Sequence, residues 1–222
     1  MPIKRLFRPR KRRSGIRDPK LVIIATEGTN TEPAYFNDMV SPRYFYNPRI
    51  HVEVLQREEM ASAPEYVIRL LDEFRSQYKL KAGLDELWLV LDTDRWGDAK
   101  LSAIGTLCHQ KDYKMAVSNP CFELWLLLHH RSLDDYPREI LDEFRKNRRT
   151  GKRTRLGVEL VELLGEYSKT SLKTDNFLPH VQEAIEHARA LDTHPEHRWP
   201  NDLGSRVYLL AEQIMDRHPK IV

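Results

Sequence analysis

The chain of 222 residues has few of the features that mark secreted or membrane proteins. Its only cysteines are Cys108 and Cys121, and both lie in apolar, helix-like surroundings. We therefore expect a reduced, buried pair rather than a disulfide or a metal site. No apolar run approaches the roughly 20 residues that a membrane span needs. Because the basic N-terminus lacks the apolar region of a signal peptide, we expect a cytoplasmic protein without membrane contact.

A glycine-rich phosphate-binding loop of the Walker type is also missing from the sequence. Such a loop would be needed to hold the phosphates of ATP in the common nucleotide-binding folds. We therefore do not expect this chain to be an ATPase itself.

The net charge of +3 hides two strongly basic segments. Residues 1–20 carry a net charge of +8 and residues 145–155 a net charge of +7, so the remainder is acidic, at −12. This uneven distribution is typical of proteins that bind a polyanion, most often nucleic acid, although basic segments can also be simply solvated. The residues that we predict to contact nucleic acid are Arg148, Arg149, Lys152 and Arg153.

The chain is organised around the stretch from Glu86 to Asp94. Its five consecutive apolar residues, 87–91, predict a strand that is buried on both faces, as in a parallel sheet covered by helices. Asp92 and Asp94 follow, at the end of the strand where open α/β sheets bind their ligands. Two such carboxylates repel unless a cation lies between them, and Mg²⁺ binds through one or two carboxylates and water. The alternative is a pair of solvated loop residues, one of which caps the next helix.

Strands and helices alternate over the first 131 residues. Besides the central strand, the patterns predict strands at 20–26, 50–55 and 113–117 and helices at 33–40, 64–78 and 99–111. A further, buried helix has Pro120 in its first turn and Asn119 as its cap. This alternation predicts an α/β core with about four parallel strands flanked by helices.

The pattern changes after residue 131, where we predict only helices. Their ranges are 136–147, 156–167, 176–191 and 203–217. We therefore divide the chain into a basic flexible arm, an α/β core and a helical C-terminal extension, at 1–18, 19–131 and 132–222.

Further acidic residues lie close to the predicted ends of strands. Glu27 and Gly28 directly follow the first strand, and Thr31 is the expected N-cap of the next helix, with Glu32 in its first turn. Glu123 interrupts an almost wholly apolar helix. Because a buried, unpaired carboxylate is unfavourable, Glu123 must be exposed, be paired, or face the metal site.

Two groups of motifs resemble known families. A strand that ends in Glu-Gly and a second, 65 residues later, that ends in Asp-x-Asp resemble the TOPRIM domain of topoisomerases, primases and some nucleases; Glu27, Asp92 and Asp94 match this pattern. The segments EGTNTEPAYF, LVLDTDRWGD and SNPCFELWLLLHH resemble the RloB family. Its members are bacterial proteins of restriction and abortive-infection loci, usually encoded beside an AAA-type ATPase. The resemblance covers most of the chain.

The resemblance implies a TOPRIM-like core of four parallel strands, the use of Mg²⁺ or Mn²⁺, and a role in phage defence. Under it, Asp92 and Asp94 hold a divalent ion, and Glu27 faces that ion as a ligand or as a general acid or base. Glu32 would complete a two-metal site. Two ions about 3.5–4 Å apart stabilise both the attacking and the leaving oxygen of a phosphodiester.

We therefore expect a metal-dependent nuclease that cleaves DNA or RNA, including tRNA, as the effector of an antiphage system with a partner AAA-type ATPase. Glu123 joins its site if it faces the metal, and Arg95 either contacts a phosphate or pairs with Asp98. The catalytic-tyrosine domain that strand passage needs and the extra modules of primases are hard to find here. The alternative from another class is a non-catalytic adaptor that binds the ATPase and nucleic acid. A homo-oligomer stays open.

Overall fold

The computed structural model describes residues 19–56, 64–94 and 96–216. In chain order, its strands are β1 Lys20–Thr26, β2 Ile50–Leu55, β3 Glu86–Asp92, β4 Lys114–Asn119, β5 Arg149–Thr150, β6 Arg153–Thr154 and β7 Gly204–Ser205. Its α-helices are α1 Thr31–Met39, α2 Pro64–Gln77, α3 Asp98–Lys111, α4 Phe122–Leu127, α5 Arg138–Lys146, α6 Arg155–Leu164, α7 Val181–Leu191 and α8 Val207–Met215.

A five-stranded sheet in the order β2-β1-β3-β4-β7 lies at the centre of the fold. Its first four strands pair in parallel, so the predicted α/β core is confirmed. In the register of these strands, Thr26 lies opposite Val90, and Asp92 lies opposite Ser118. The carboxyl ends of β1, β3 and β4 therefore meet at one edge of the sheet.

Helices cover both faces of the sheet. Val22 and Ile24 of β1 belong to an apolar cluster that includes α1, α4 and the C-terminal helices. Ile23 and Ala25 point the other way, into a second cluster with α2 and α3. Because both faces of the strands are buried, their sequences are continuous apolar runs rather than alternating ones.

The C-terminal region is not purely helical. β7 pairs antiparallel with the end of β4, and β5 and β6 form a separate two-stranded hairpin. The prediction of helices alone was wrong here, because strands of two residues are too short to show an alternating pattern. The predicted domain boundary at residue 131 stays a prediction, and the basic arm at 1–18 lies outside the described residues.

Helix starts also differ from the prediction wherever a distant partner competes with a local cap. The N-cap of α1 is Asn30, and Thr31 instead donates a hydrogen bond from its hydroxyl to the carbonyl of Lys169 at 2.8 Å. Helix α4 begins at Phe122 after a cis Asn119–Pro120 bond. Asn119 belongs to β4 and does not cap this helix, so both predicted caps were wrong.

The two cysteines are free and buried, as predicted. Cys108 packs in the cluster formed with α2 and α3, and Cys121 packs in the cluster on the opposite face. None of the helices in the described part of the chain is long and apolar enough to span a membrane.

Arg206, at the start of α8, is a buried cation with a buried partner. Its guanidinium donates hydrogen bonds to both carboxylate oxygens of Asp192, at 2.9 and 2.8 Å. The side chains of Arg206 and Asp192 are only 8% and 6% exposed. Arg206 also donates to the backbone carbonyls of His194, at 2.9 Å, and His197. This one side chain therefore attaches the loop after α7 to α8.

We predict that Arg206→Ala lowers the free energy of unfolding by about 3–5 kcal/mol, because it leaves the charge of Asp192 buried and unpaired. Chemical denaturation measures the loss. The matched control is Arg145→Ala. Arg145 forms an ion pair with Asp202 at the surface, and the two side chains are 40% and 64% exposed, respectively. Its loss should stay below about 1 kcal/mol. Equal losses in the two variants would contradict the assigned role of Arg206.

Candidate functional site

Two acidic residues lie at the carboxyl ends of neighbouring parallel strands. Glu27 directly follows β1, and its amide donates to the carbonyl of Val90 at 3.0 Å, which continues the strand ladder by one residue. Asp92 is the last residue of β3, and its amide donates to Oε2 of Glu27 at 3.4 Å. The sheet itself therefore brings the two carboxylates together.

Two further carboxylates come from the first turns of helices. Glu32 lies in the first turn of α1 and Glu123 in the first turn of α4, and they are 7% and 3% exposed. The N-terminus of a helix favours negative charge. The carboxylate of Glu32 packs directly against Gly28, where any Cβ atom would collide with it. A side chain at position 28 would therefore require the carboxylate of Glu32 to move.

These four carboxylates line a single open cleft of about 160 Å³. Its wall is completed by Gly28, Thr29, Asn30, Thr31, Phe122 and Lys169. The structure thus brings together three of the four predicted metal ligands and the conditional residue Glu123. Glu123 is buried rather than exposed, it is paired with Lys169, and it also lines the cleft. Its position at a metal site stays a prediction.

Asp94, the remaining predicted ligand, lies outside this lining. Its side chain is exposed, and its amide donates to the carbonyl of Pro120 at 3.0 Å. Its charge still reaches the cleft, since it helps to raise the pKa of Asp92. Arg95 lies outside the described residues, so its predicted phosphate contact stays a prediction.

Three partners of the carboxylates were not found from the sequence. Lys169 forms an ion pair with Glu123, and the hydroxyl of Tyr167 donates to Oε1 of Glu123 at 3.3 Å. The indole Nε1 of Trp96 donates to Oε2 of Glu27 at 3.0 Å. Lys169 and Tyr167 lie in the loop after α6, about 45 residues from Glu123, and no motif in that loop signals the contact. The position of Glu123 in an almost wholly apolar helix indicated only that it must be exposed, be paired, or face the metal site.

The cleft carries more negative charge than its lysine balances. Burial, together with the nearby charges of Glu123 and Glu27, raises the pKa of Glu32 to about 7. Burial and the same neighbours, together with Glu32 and Asp94, raise the pKa of Asp92 well above its usual range. Burial opposes the charge of Lys169, but Glu123 and other acidic neighbours, among them Asp92, together outweigh burial. The pKa of Lys169 is therefore raised, and this side chain stays an ammonium.

The donor set fits a hard divalent cation. It consists of carboxylate oxygens, which suit Mg²⁺ and Mn²⁺, and its excess negative charge would be relieved by an ion. No three of the cleft's acidic side chains bring their ligand oxygens within 4.8 Å of one another as they stand.

The predicted nucleic-acid-binding residues form the hairpin of β5 and β6. All four of them are exposed: Arg148, Arg149, Lys152 and Arg153. Gly151 supplies the turn with a φ of +61°, which favours glycine. At the base of the hairpin, Asn147 donates to Sγ of Cys121 at 3.2 Å and accepts from the amide of Leu156 at 3.1 Å. The hairpin is therefore fixed to the start of α4, the helix that carries Glu123.

The hairpin also lies beside the acidic cleft. Arg153 lines a second cleft together with Tyr167, and the hydroxyl of Tyr167 contacts Glu123 in the first cleft. The side chain of Tyr167 thus separates a basic surface from an acidic one. The sequence did not indicate this proximity.

The fold and the cleft together define an α/β protein with a TOPRIM-like core, in which acidic residues gather at the carboxyl edge of a parallel sheet. Residues 22–214 match the family model described as RloB-like protein. Because this match spans most of the chain, the protein belongs to the RloB-like family, and the predicted resemblance is confirmed. No curated protein and no solved structure matches the chain.

We predict that the acidic cleft makes the metal-free protein less stable as the pH rises. The folded protein holds the proton of Glu32 up to a pKa of about 7, whereas the unfolded chain releases it near 4.5. The folded state therefore binds more protons between these values, and stability is lost as the pH rises through them. Between about pH 5 and pH 7.5, the free energy of unfolding of wild type should fall by roughly 1–3 kcal/mol relative to that of Glu32→Gln.

Chemical denaturation of both proteins in excess chelator measures this difference. The comparison is needed because burial lowers the pKa of His129 to about 3, which makes stability rise with pH in the acidic range. His129 is present in both proteins, so its contribution cancels. A difference between wild type and variant that does not change with pH would contradict the raised pKa of Glu32 in the folded protein.

Proposed function

We propose that this protein is a metal-dependent nuclease that cleaves phosphodiester bonds in nucleic acid. The observation that carries the proposal is the cleft in which Glu27, Glu32, Asp92 and Glu123 converge at the carboxyl edge of the sheet. Four acidic groups with one lysine leave an excess of negative charge that a bound cation would neutralise. The oxygen-only donor set favours Mg²⁺ or Mn²⁺ as that cation.

Glu27, Glu32 and Asp92 are the residues that would hold the ion, and Glu123 lines the same cleft. A bound divalent ion supplies positive charge to the phosphate oxygens on which negative charge develops. Trp96 fixes one oxygen of Glu27, so the orientation of this carboxylate is set before substrate arrives. Lys169 stays protonated and lies at the cleft, where its ammonium can also donate to a phosphate oxygen.

The basic hairpin supports nucleic acid as the substrate. Its four exposed cations, at 148, 149, 152 and 153, stand beside a cleft whose own charge would repel a polyanion. Phosphate contacts from such a segment can hold a strand near the acidic cleft without reading its sequence. The acidic remainder of the chain makes this hairpin a localised attachment surface rather than part of a general positive field.

The family resemblance adds the biological setting. It suggests an effector of antiphage defence that acts with an AAA-type ATPase encoded nearby, and both the role and the partner stay predictions. The non-catalytic adaptor is the competing function. An adaptor needs the hairpin but has no use for a cleft of four carboxylates, so substitutions in the cleft separate the two functions.

We predict that Asp92→Asn abolishes Mg²⁺-dependent cleavage, with a loss of at least about 100-fold, because charge stabilisation at the reacting phosphate is removed. The assay uses DNA, RNA and tRNA as substrates. The variant should be as stable as metal-free wild type or more so, since it removes like-charge repulsion with little change in volume. Mg²⁺ should raise the melting temperature of wild type and raise that of the variant less.

The matched control is Asp85→Asn, at an aspartate with a structural role. Asp85 accepts hydrogen bonds from the amides of Leu21, at 3.0 Å, and Lys81, at 2.7 Å. This variant should lose stability but keep its cleavage activity at temperatures where it is folded. The nuclease proposal fails if wild type cleaves none of the substrates with Mg²⁺ or Mn²⁺, or if Asp92→Asn cleaves as wild type does.

We predict that replacing all four hairpin cations with alanine weakens nucleic-acid binding and flattens its salt dependence. Each phosphate contact contributes about 0.7–0.9 to the slope of log affinity against log salt, so the slope should fall by up to about 3. Binding is measured in the Asp92→Asn background, which prevents cleavage. The control is Arg69→Ala with Lys79→Ala, two exposed cations in the region of α2. An unchanged slope would assign the hairpin to a solvated surface.

A further inference from the structure

A second group of candidate metal ligands lies in the loop after α7. Among the described residues, His194, Glu196 and His197 form the one set of three histidine, cysteine or acidic side chains whose ligand atoms all lie within 4.8 Å. Nδ1 of His194 lies 3.1 Å from Oε1 of Glu196, and Nε2 of His197 lies 3.7 Å from the same oxygen. The two imidazole rings stack with centroids 5.0 Å apart. All three side chains are exposed, so an ion can reach them from solvent.

The backbone of this loop is held by a buried side chain. Arg206 donates to the carbonyls of His194 and His197, the two residues that would supply the nitrogen ligands. The amide of His197 also donates to the carbonyl of His194, at 3.1 Å, which closes the turn between them. The spacing of the two histidine backbones is therefore set by the fold rather than by the ion.

The loop is also attached to the rest of the protein beyond the histidines. Arg198 donates to Oγ1 of Thr106 in α3 at 2.9 Å, and Nδ2 of Asn119 in β4 donates to the carbonyl of Pro200 at 2.9 Å. A loop that is ordered before binding loses little conformational entropy when it takes a ligand. This order distinguishes the cluster from histidines that happen to lie near each other on a mobile surface.

A further residue is placed to orient one of the ligands. Nδ1 of His197 lies 2.8 Å from the side-chain amide of Asn201. When Nε2 of His197 binds an ion, Nδ1 carries the proton and the amide oxygen of Asn201 accepts it. This arrangement requires only a half-turn of the Asn201 side-chain amide, which exchanges its nitrogen and oxygen, two atoms of similar size. Histidines that bind metals commonly donate their other ring N–H to such a partner.

We infer that His194, Glu196 and His197 bind one borderline transition-metal ion, such as Zn²⁺, at a site separate from the acidic cleft. Two imidazole nitrogens and one carboxylate oxygen suit Zn²⁺, Co²⁺, Ni²⁺ or Cu²⁺. The same set is unsuited to Mg²⁺, which prefers oxygen ligands. With three protein ligands, the remaining coordination positions face solvent. The inference does not depend on the proposed nuclease function.

The test is a calorimetric titration of the full chain with Zn²⁺ after removal of metals by chelation. Millimolar Mg²⁺ is present throughout to compete for the acidic cleft. Wild type should bind one equivalent of Zn²⁺ that the double variant His194→Ala/His197→Ala does not bind. Asn201→Leu should lower the affinity for this Zn²⁺ ion by roughly 10–100-fold, because the residue that orients His197 is lost. Zn²⁺ should also raise the melting temperature of wild type but not that of the double variant.

The control is His109→Ala, which removes an exposed histidine from α3 and should leave the titration unchanged. The melting temperatures of all variants in chelator show whether each of them is folded. The inference is overturned if wild type shows no such equivalent in the presence of Mg²⁺. It is equally overturned if the double variant binds Zn²⁺ as wild type does.

Discussion

The mutual repulsion of carboxylates at one edge of the sheet is the constraint on which the rest of this structure depends. Glu27 and Asp92 are brought there by the parallel register of β1 and β3, and Glu32 and Glu123 by the first turns of two helices. In a partly buried cleft these charges oppose folding, as the raised pKa values of Glu32 and Asp92 indicate. A fold that keeps such an arrangement must compensate for it elsewhere.

The compensation comes from residues that are distant in sequence. Lys169 and Tyr167 reach Glu123 from the loop after α6, and Trp96 holds Glu27 from the loop after β3. That loop is in turn held by the end of β4 and the residue after it. The hydroxyl of Thr93 donates to the side chain of Asn119, and the amides of Thr93 and Asp94 both donate to the carbonyl of Pro120. The C-terminal region therefore takes part in the cleft as well as in the apolar core.

Two asparagines connect the cleft to the surfaces around it. Asn147 joins the basic hairpin to Cys121 at the start of α4, and Asn119 joins the loop with Thr93 to the loop that ends at Pro200. Both side chains use a donor and an acceptor at once, which places two segments in a defined relation. The acidic cleft, the hairpin and the histidine loop are thus held by one set of polar contacts around β4 and α4.

The parts of the fold that were predictable from sequence are those with strong local patterns. The apolar runs in β1 and β3 identified strands buried on both faces, and β1 was predicted with its observed bounds. The helical period identified α2 and α3 to within two residues. Predictions failed for β5, β6 and β7, whose two-residue lengths carry no period. They also failed for Thr31 and Asn119, whose side chains found long-range partners instead of local caps.

The sequence by itself determined the chemistry that is available: acidic residues at the ends of apolar runs, cations concentrated in two short segments, and one glutamate in an almost wholly apolar helix. Local pattern suffices for this, because strand ends and charge runs are properties of neighbouring residues. Only the tertiary structure decided that Glu123 lines the cleft, that the side chain of Asp94 lies outside its lining and that Lys169 pairs with Glu123. These outcomes depend on contacts between segments tens of residues apart, and no periodicity in a sequence records which distant segments will pack together.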